Sequence, residues 1–208
     1  MYPPRYRILT SALAASILLG STLAAAPAIA APSATCAEPQ AAKVARKAVQ
    51  ATMKTESVAF TKTLKLARTS LPAKQRAQAA VLADATSTAS DRGIAAADVT
   101  LVRQLITAAS ATSKPLSVDR AKLAQCGVSA MKRLAKHADV REARFGLDVL
   151  TALRNHERAL VKWDSVTRDR FKGTDAAQYA TWRTKVKDEQ ASAAALTKQI
   201  AATKKQLR

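Results

Sequence analysis

The sequence predicts an all-α protein, an antiparallel helical bundle with a C-terminal helical extension and one disulfide. Three observations carry that expectation. Glycine is scarce, at 5 of 208 residues, while alanine recurs throughout and β-branched residues never gather into long runs. Helix propensity is therefore favourable nearly everywhere, and no segment alternates with the period of a strand. Prolines, glycines and capping residues fall at intervals that suit helix ends. The two cysteines, Cys36 and Cys126, are an even count, which in an oxidising compartment most often means a bridge.

The first thirty residues read as an export signal and set that compartment. Arg5 and Arg7 precede an apolar run over residues 8–26, and the small-residue box Ala28-Ile29-Ala30 follows. Cleavage after Ala30 leaves residues 31–208, expected to form a single helical domain exported to the periplasm or the exterior. A Cys36–Cys126 bridge would close a loop of about 90 residues, worth roughly 4–5 kcal/mol in the chain-entropy account.

Pro39 suits the first turn of a helix running to about residue 68, because a proline there loses no hydrogen bond. Val44, Ala48, Ala51, Thr55, Val58 and Ala59 are expected to form its apolar face, with Lys47, Lys54 and Lys62 on an adjoining stripe. Pro72 is expected to begin a second helix that Gly93 ends, and a third runs over residues 97–113 until Pro115 stops it. Ser117 suits the N-cap of a fourth helix, with Asp119 in its first turn and Cys126 further along. That segment breaks near residues 137–139, resumes through Leu147, Leu150, Leu153, Leu160 and Val161, and ends before Gly173. Thr174 caps a last helix over residues 175–207, in which Tyr179, Trp182, Val186, Leu196 and Ile200 point to the core. Residues 144–208 form the C-terminal helical extension.

The formal net charge is +19, and the leader holds only Arg5 and Arg7 of the cations and none of the acids. A field of that sign attracts anionic polymers, anionic membrane surfaces and small anionic substrates alike. The few aromatics are scattered and not interleaved with a basic run, which argues against a stacking platform for single-stranded nucleic acid. There is no glycine-rich phosphate loop, no nucleophile elbow and no pair of metal ligands at working spacing. His137 and His156 stand alone, as surface or internally satisfied histidines do, so neither a metal nor another cofactor is expected.

One set of cations does sit in a recognisable pattern. Ser57-Val58-Ala59-Phe60-Thr61-Lys62 resembles the Val-Ala-x-x-Lys signature of the secreted gamma-class, all-helical chorismate mutases. Leu71-Pro72-Ala73-Lys74-Gln75-Arg76, with Val81-Leu82 and Gly93-Ile94 after it, is similar to that family's second helix. Leu116-Ser117-Val118-Asp119-Arg120 is similar to its Leu-x-x-x-Arg, and the likeness covers about residues 45–125. The resemblance implies that Lys62, Arg76 and Arg120 are catalytic cations, joined in substrate binding by Lys47, Lys54 and Lys114. Chorismate, a dianion, would be clamped in its reactive shape and rearranged to prephenate without nucleophile or general base. The sequence departs from the family at Ala51, where a first-helix arginine is usual, at Ala73 in place of an aspartate, and around residues 112–114, which lack the usual Glu or Gln. The other class of function open to this composition is a non-enzymatic cationic helical protein binding anionic envelope polymers, membrane or nucleic acid.

Mass spectrometry of the exported protein is expected to find an N-terminus at Ala31 and a Cys36–Cys126 linkage. Two free thiols in that fraction would contradict the second expectation.

Overall fold

In a computed structural model, residues 40–124 and 127–207 are described. They form four α-helices and a short 3-10 turn, with no strand among the described residues. The helices are α1 (Gln40–Ala83), α2 (Ala89–Ala121), α3 (Val128–Arg170) and α4 (Ala176–Gln206), and the 3-10 turn is Lys122–Ala124. The leader, Cys36 and Cys126 lie outside the described residues.

The chain is all-α as expected, but its helices are longer and fewer than its punctuation suggests. Pro72 lies inside α1 and does not begin a new helix. An interior proline removes one helical hydrogen bond and crowds the preceding turn, at about 3 kcal/mol. Here it is exposed, and hydroxyls occupy acceptors in the turn before it: Thr69 donates to the Lys65 and Leu66 carbonyls, and Ser70 to that of Ala67. Pro115 is likewise internal to α2 and exposed. Ser117 does not cap a helix start; its hydroxyl donates to the Lys114 carbonyl at 2.8 Å. No break occurs near residues 137–139, where α3 is continuous.

The real start of α2 is a capping box that the sequence also displays. Thr88 Oγ1 accepts from the Asp91 N–H at 3.2 Å, and Asp91 Oδ2 accepts from the Thr88 N–H at 2.9 Å. Just before it, Asp84 folds the turn by accepting from Thr86 through both N–H and hydroxyl. Those bonds hold the Asp84 carboxyl below its ordinary range. The last helix is capped by Asp175 and not by the neighbouring Thr174: Gln178 N–H donates to Asp175 Oδ1 at 2.9 Å. Gly173, at φ +80°, supplies the left-handed residue that the turn before α4 requires.

The described residues fall into two compact units, and α1, α2 and α3 contribute to both. The first unit takes the described residues up to Thr63 together with Thr112–Arg141. Its core is Val49, Met53 and Phe60 from α1, Leu116 from α2, Leu123, and Met131, Leu134 and Ala138 from α3. The second takes Leu64–Ala111 with the chain from Glu142 onward. There Val99, Val102 and Leu105 of α2 meet Phe145, Val149 and Leu153 of α3, and α4 adds Val186, Ala193 and Ile200. By length and composition, α2 is the described helix that is apolar enough to cross a bilayer. A third of its most apolar stretch is buried, and its Val99, Val102 and Leu105 are core residues of this unit.

The buried face of α1 is not the one its valines suggest. Val44 and Val58 are 59% and 44% exposed, whereas Val49, Met53, Glu56, Phe60, Thr63 and Ala67 face inward. Those inward positions follow the three-and-four spacing of one helical face. The large Met53 and Phe60 decide the face, because each buries more apolar area than a valine. Glu56 on the same face hides the pattern from a hydrophobicity reading.

Gly93, expected to end a helix, instead sits in the first turns of α2 beneath Trp163 of α3. A Cβ there would lie 2.0 Å from the indole ring. Beside it the buried Ser90 hydroxyl donates to the Trp163 carbonyl, and Thr167 donates to Ser90 Oγ at 2.8 Å. Gly93→Ala is expected to destabilise the fold by about 2–3 kcal/mol, as overpacking of a close contact does. Gly146→Ala, at an open helical position, should stabilise by about 0.5–1 kcal/mol. Thermal denaturation of the two variants checks the contrast.

Candidate functional site

The polar chemistry of each unit begins with acids placed on buried helix faces. In the first unit Glu56 (α1), Asp119 (α2) and Arg141 (α3) are all buried. Arg141 donates to Glu56 Oε2 at 2.9 Å and also to Asp119 Oδ2. Asp119 is approached further by His137 Nδ1 at 3.3 Å and by Lys122 Nζ at 3.7 Å. One guanidinium thus bridges two carboxylates and ties three helices together, a geometry its planar fork suits and a lysine's would not.

The second unit repeats the arrangement with different residues. Asp98 of α2 accepts from His156 Nε2 of α3 at 2.8 Å and from Lys74 Nζ of α1. Burial pushes the Asp98 carboxyl up, but the His156 and Lys74 bonds outweigh it and hold the group below its ordinary range. His156 is therefore an internally satisfied histidine, and His137 an exposed one paired with Asp119.

A third cluster joins α3 to α4. Asp164 is fully buried, Glu189 is 8% exposed, and Lys185 lies 2.6 Å from Asp164 and 4.0 Å from Glu189. The Lys185 ammonium also stands 4.4 Å from the centre of the Trp182 ring. Burial and the adjacent Asp164 push the Glu189 carboxyl up to about 8, so near neutral pH it keeps its proton.

The cations expected to bind substrate lie elsewhere. Lys47, Lys54, Lys62 and Lys114 are exposed in the first unit, and Arg76 is exposed in the second. Arg120 is half-buried in the first unit and donates to the Met53 carbonyl at 3.4 Å. Arg46, which the sequence reading passed over, turns inward and donates to the Leu123 carbonyl. In the first unit an open groove of about 200 Å³ runs between α1 and α3. Its lining is Ala45, Ala48, Val49, Thr52, Met131 and Ala135, with Lys132 the one charged residue. None of Lys47, Lys54, Lys62, Lys114 and Arg120 lines it. No group of three His, Cys, Asp or Glu among the described residues is placed to hold a metal ion.

The partition of charge is the feature that the sequence did not reveal. Glu56, Asp119, Asp164 and Glu189 are buried, whereas Arg141 is the one buried lysine or arginine among the described residues. These four acids are drawn into internal pairs, while Asp84, Asp139, Glu142, Asp148, Asp169, Asp175 and Asp188 stay exposed among a larger number of exposed lysines and arginines. Compared with protein families, with curated proteins and with solved structures, the chain matches none.

Two outcomes follow. Arg141→Ala leaves Glu56 and Asp119 buried without their shared cation and is expected to cost about 3–5 kcal/mol by denaturant titration. The triple variant Glu56→Gln, Asp119→Asn, Arg141→Met should recover most of that loss. The Glu189 carboxyl is raised from 4.5 to about 8, so between those values the folded chain keeps a proton that the unfolded chain releases. Stability contributed at this site therefore falls as pH rises through that window. The melting temperature of Glu189→Gln, compared with the parent across the same range, should lack this decline.

Proposed function

We propose that the chain is an exported, non-enzymatic cationic helical protein whose surface binds anionic polymers through its summed charge. The observation that supports this reading best is the balance of charge: Glu56, Asp119, Asp164 and Glu189 are buried in internal pairs, and exposed lysines and arginines far outnumber the acids that remain outside. Acids held inside a low-dielectric core do not sit between surface lysines to weaken their field, so an approaching polyanion meets a surface more uniformly positive than the composition implies. Lys47, Lys54, Lys62 and Lys114 are exposed in one unit, as is Arg76 in the other. Exposed, flexible ammonium groups suit reversible contact with many phosphates or carboxylates better than the fixed clamp that a dianion of defined shape demands.

Export belongs to the same reading. The leader at residues 1–30 would deliver the protein to the envelope, where anionic polymers and membrane surfaces are its natural partners, and a Cys36–Cys126 bridge would suit that oxidising setting. Polymer bound through counterion release leaves a definite signature: the logarithm of the association constant falls linearly with the logarithm of salt concentration.

The test is a binding titration against long-chain inorganic polyphosphate over a range of salt, run beside a chorismate-to-prephenate assay. The expected result is steeply salt-dependent binding, no prephenate, and only small losses of affinity in each of the single variants Lys62→Ala, Arg76→Ala and Arg120→Ala. Prephenate formation that falls by about 10²-fold or more in Arg76→Ala and Arg120→Ala would overturn this reading in favour of a mutase.

A further inference from the structure

The exposed cations are not spread evenly, and α1 differs in this from α3 and α4. Within the first unit it carries Lys43, Lys47, Lys54 and Lys62, all exposed. At 100° per residue these four fall within an arc of about 100° and span about 28 Å along the axis. They lie roughly opposite the buried face of Val49, Met53, Glu56 and Phe60. The helix has a single acid, Glu56, and that carboxylate is turned inward onto Arg141. No carboxylate of α1 therefore competes for these lysines. On α3 the outward cations are interrupted by exposed Asp139, Glu142 and Asp148, and α4 exposes Asp188 among its lysines.

The residue types on this face also narrow the ligand. Within the first unit its exposed cations are all lysines, since Arg46 is directed to the Leu123 carbonyl. A lysine meets a phosphate as a point charge, whereas a planar carboxylate is matched better by the arginine fork. The single aromatic residue of α1, Phe60, is buried, so the face offers no surface on which a base can stack. The exposed Val44 and Val58 lie among the lysines and give a polymer backbone an apolar rest between its charges.

We infer that this outward face of α1 is the seat for an extended, base-free, phosphate-bearing polymer, gripped by Lys43, Lys47, Lys54 and Lys62. The inference rests on the polyanion reading above and deepens it: binding is concentrated on one helix face and not shared equally over the surface. Axial separations of about 6, 10 and 12 Å between successive lysines suit a chain with a charge every few ångströms, and flexible lysine stems take up the mismatch.

The test compares two variants of equal charge, Lys43→Gln/Lys47→Gln/Lys54→Gln/Lys62→Gln on α1 and Lys187→Gln/Lys198→Gln/Lys204→Gln/Lys205→Gln on α4. Glutamine keeps the helix propensity of exposed lysine, and equal melting temperatures verify that both variants fold. With long-chain inorganic polyphosphate as probe, the α1 variant is expected to lose about 3 from the salt slope and at least ~30-fold in affinity at low salt. The α4 variant should lose less than about threefold. Equal losses in the two would overturn the α1 seat while leaving the general polyanion reading standing. No binding of polyphosphate by the parent protein would remove both. Tighter binding to phosphatidylglycerol vesicles than to polyphosphate, abolished by Val44→Ser/Val58→Ser, would also overturn the inference, because the face would then be a membrane contact.

Discussion

The Arg141 guanidinium held between Glu56 and Asp119 is the interaction on which the first unit depends, and Asp98 between Lys74 and His156 plays the same part in the second. The helices are rich in alanine, whose small side chain gives neighbouring helices little shape by which to select one register over another. A buried ion pair selects strongly. Sliding α1 by one turn would carry Glu56 away from Arg141 and leave charge buried without a partner, at several kcal/mol. In each unit an acid of α2 accepts from a base of α3, and α1 supplies the third member, an acid in one and a base in the other.

This use of carboxylates inside has a consequence outside. The chain has 15 acidic residues against 34 basic ones, so every acid drawn into the core leaves the surface balance still more positive. On α1 the effect is complete, because its single carboxylate is buried and its outward lysines meet none of their own helix. Glu56 pairs α1 with Arg141 and, by facing inward, leaves the opposite side of the helix without a carboxylate of its own. The α3–α4 cluster of Asp164, Lys185 and Glu189 follows a different logic, in which burial and the neighbouring Asp164 raise the Glu189 carboxyl to about 8.

What was legible in the sequence was what local chemistry decides. The all-α class followed from alanine and the scarcity of glycine, and the helix expected to end before Gly173 does so, at a turn in which that glycine is left-handed. The lysines at positions 47, 54 and 62 were visible as one stripe. Pro72, Pro115 and Gly93 misled because each has a tertiary setting that local rules omit: two prolines on exposed faces inside continuous helices, and a glycine cleared for the indole of Trp163. The buried ion pairs were hidden by distance along the chain, Glu56 and Arg141 being 85 positions apart. A charged residue at an inward position breaks a hydrophobic pattern, and so the face of α1 was read one step around the helix from where Met53 and Phe60 place it.

The most direct measurement of the central claim is a lysine-reactivity footprint, in which the intact protein is acetylated with and without long-chain polyphosphate and each lysine is quantified by mass spectrometry. Bound polymer removes an ammonium group from solvent only where it touches, so the footprint reads location independently of affinity. The account predicts strong protection at Lys43, Lys47, Lys54 and Lys62 and little change at Lys187, Lys198, Lys204 and Lys205. Uniform protection over all exposed lysines, or protection centred on α4, would contradict it.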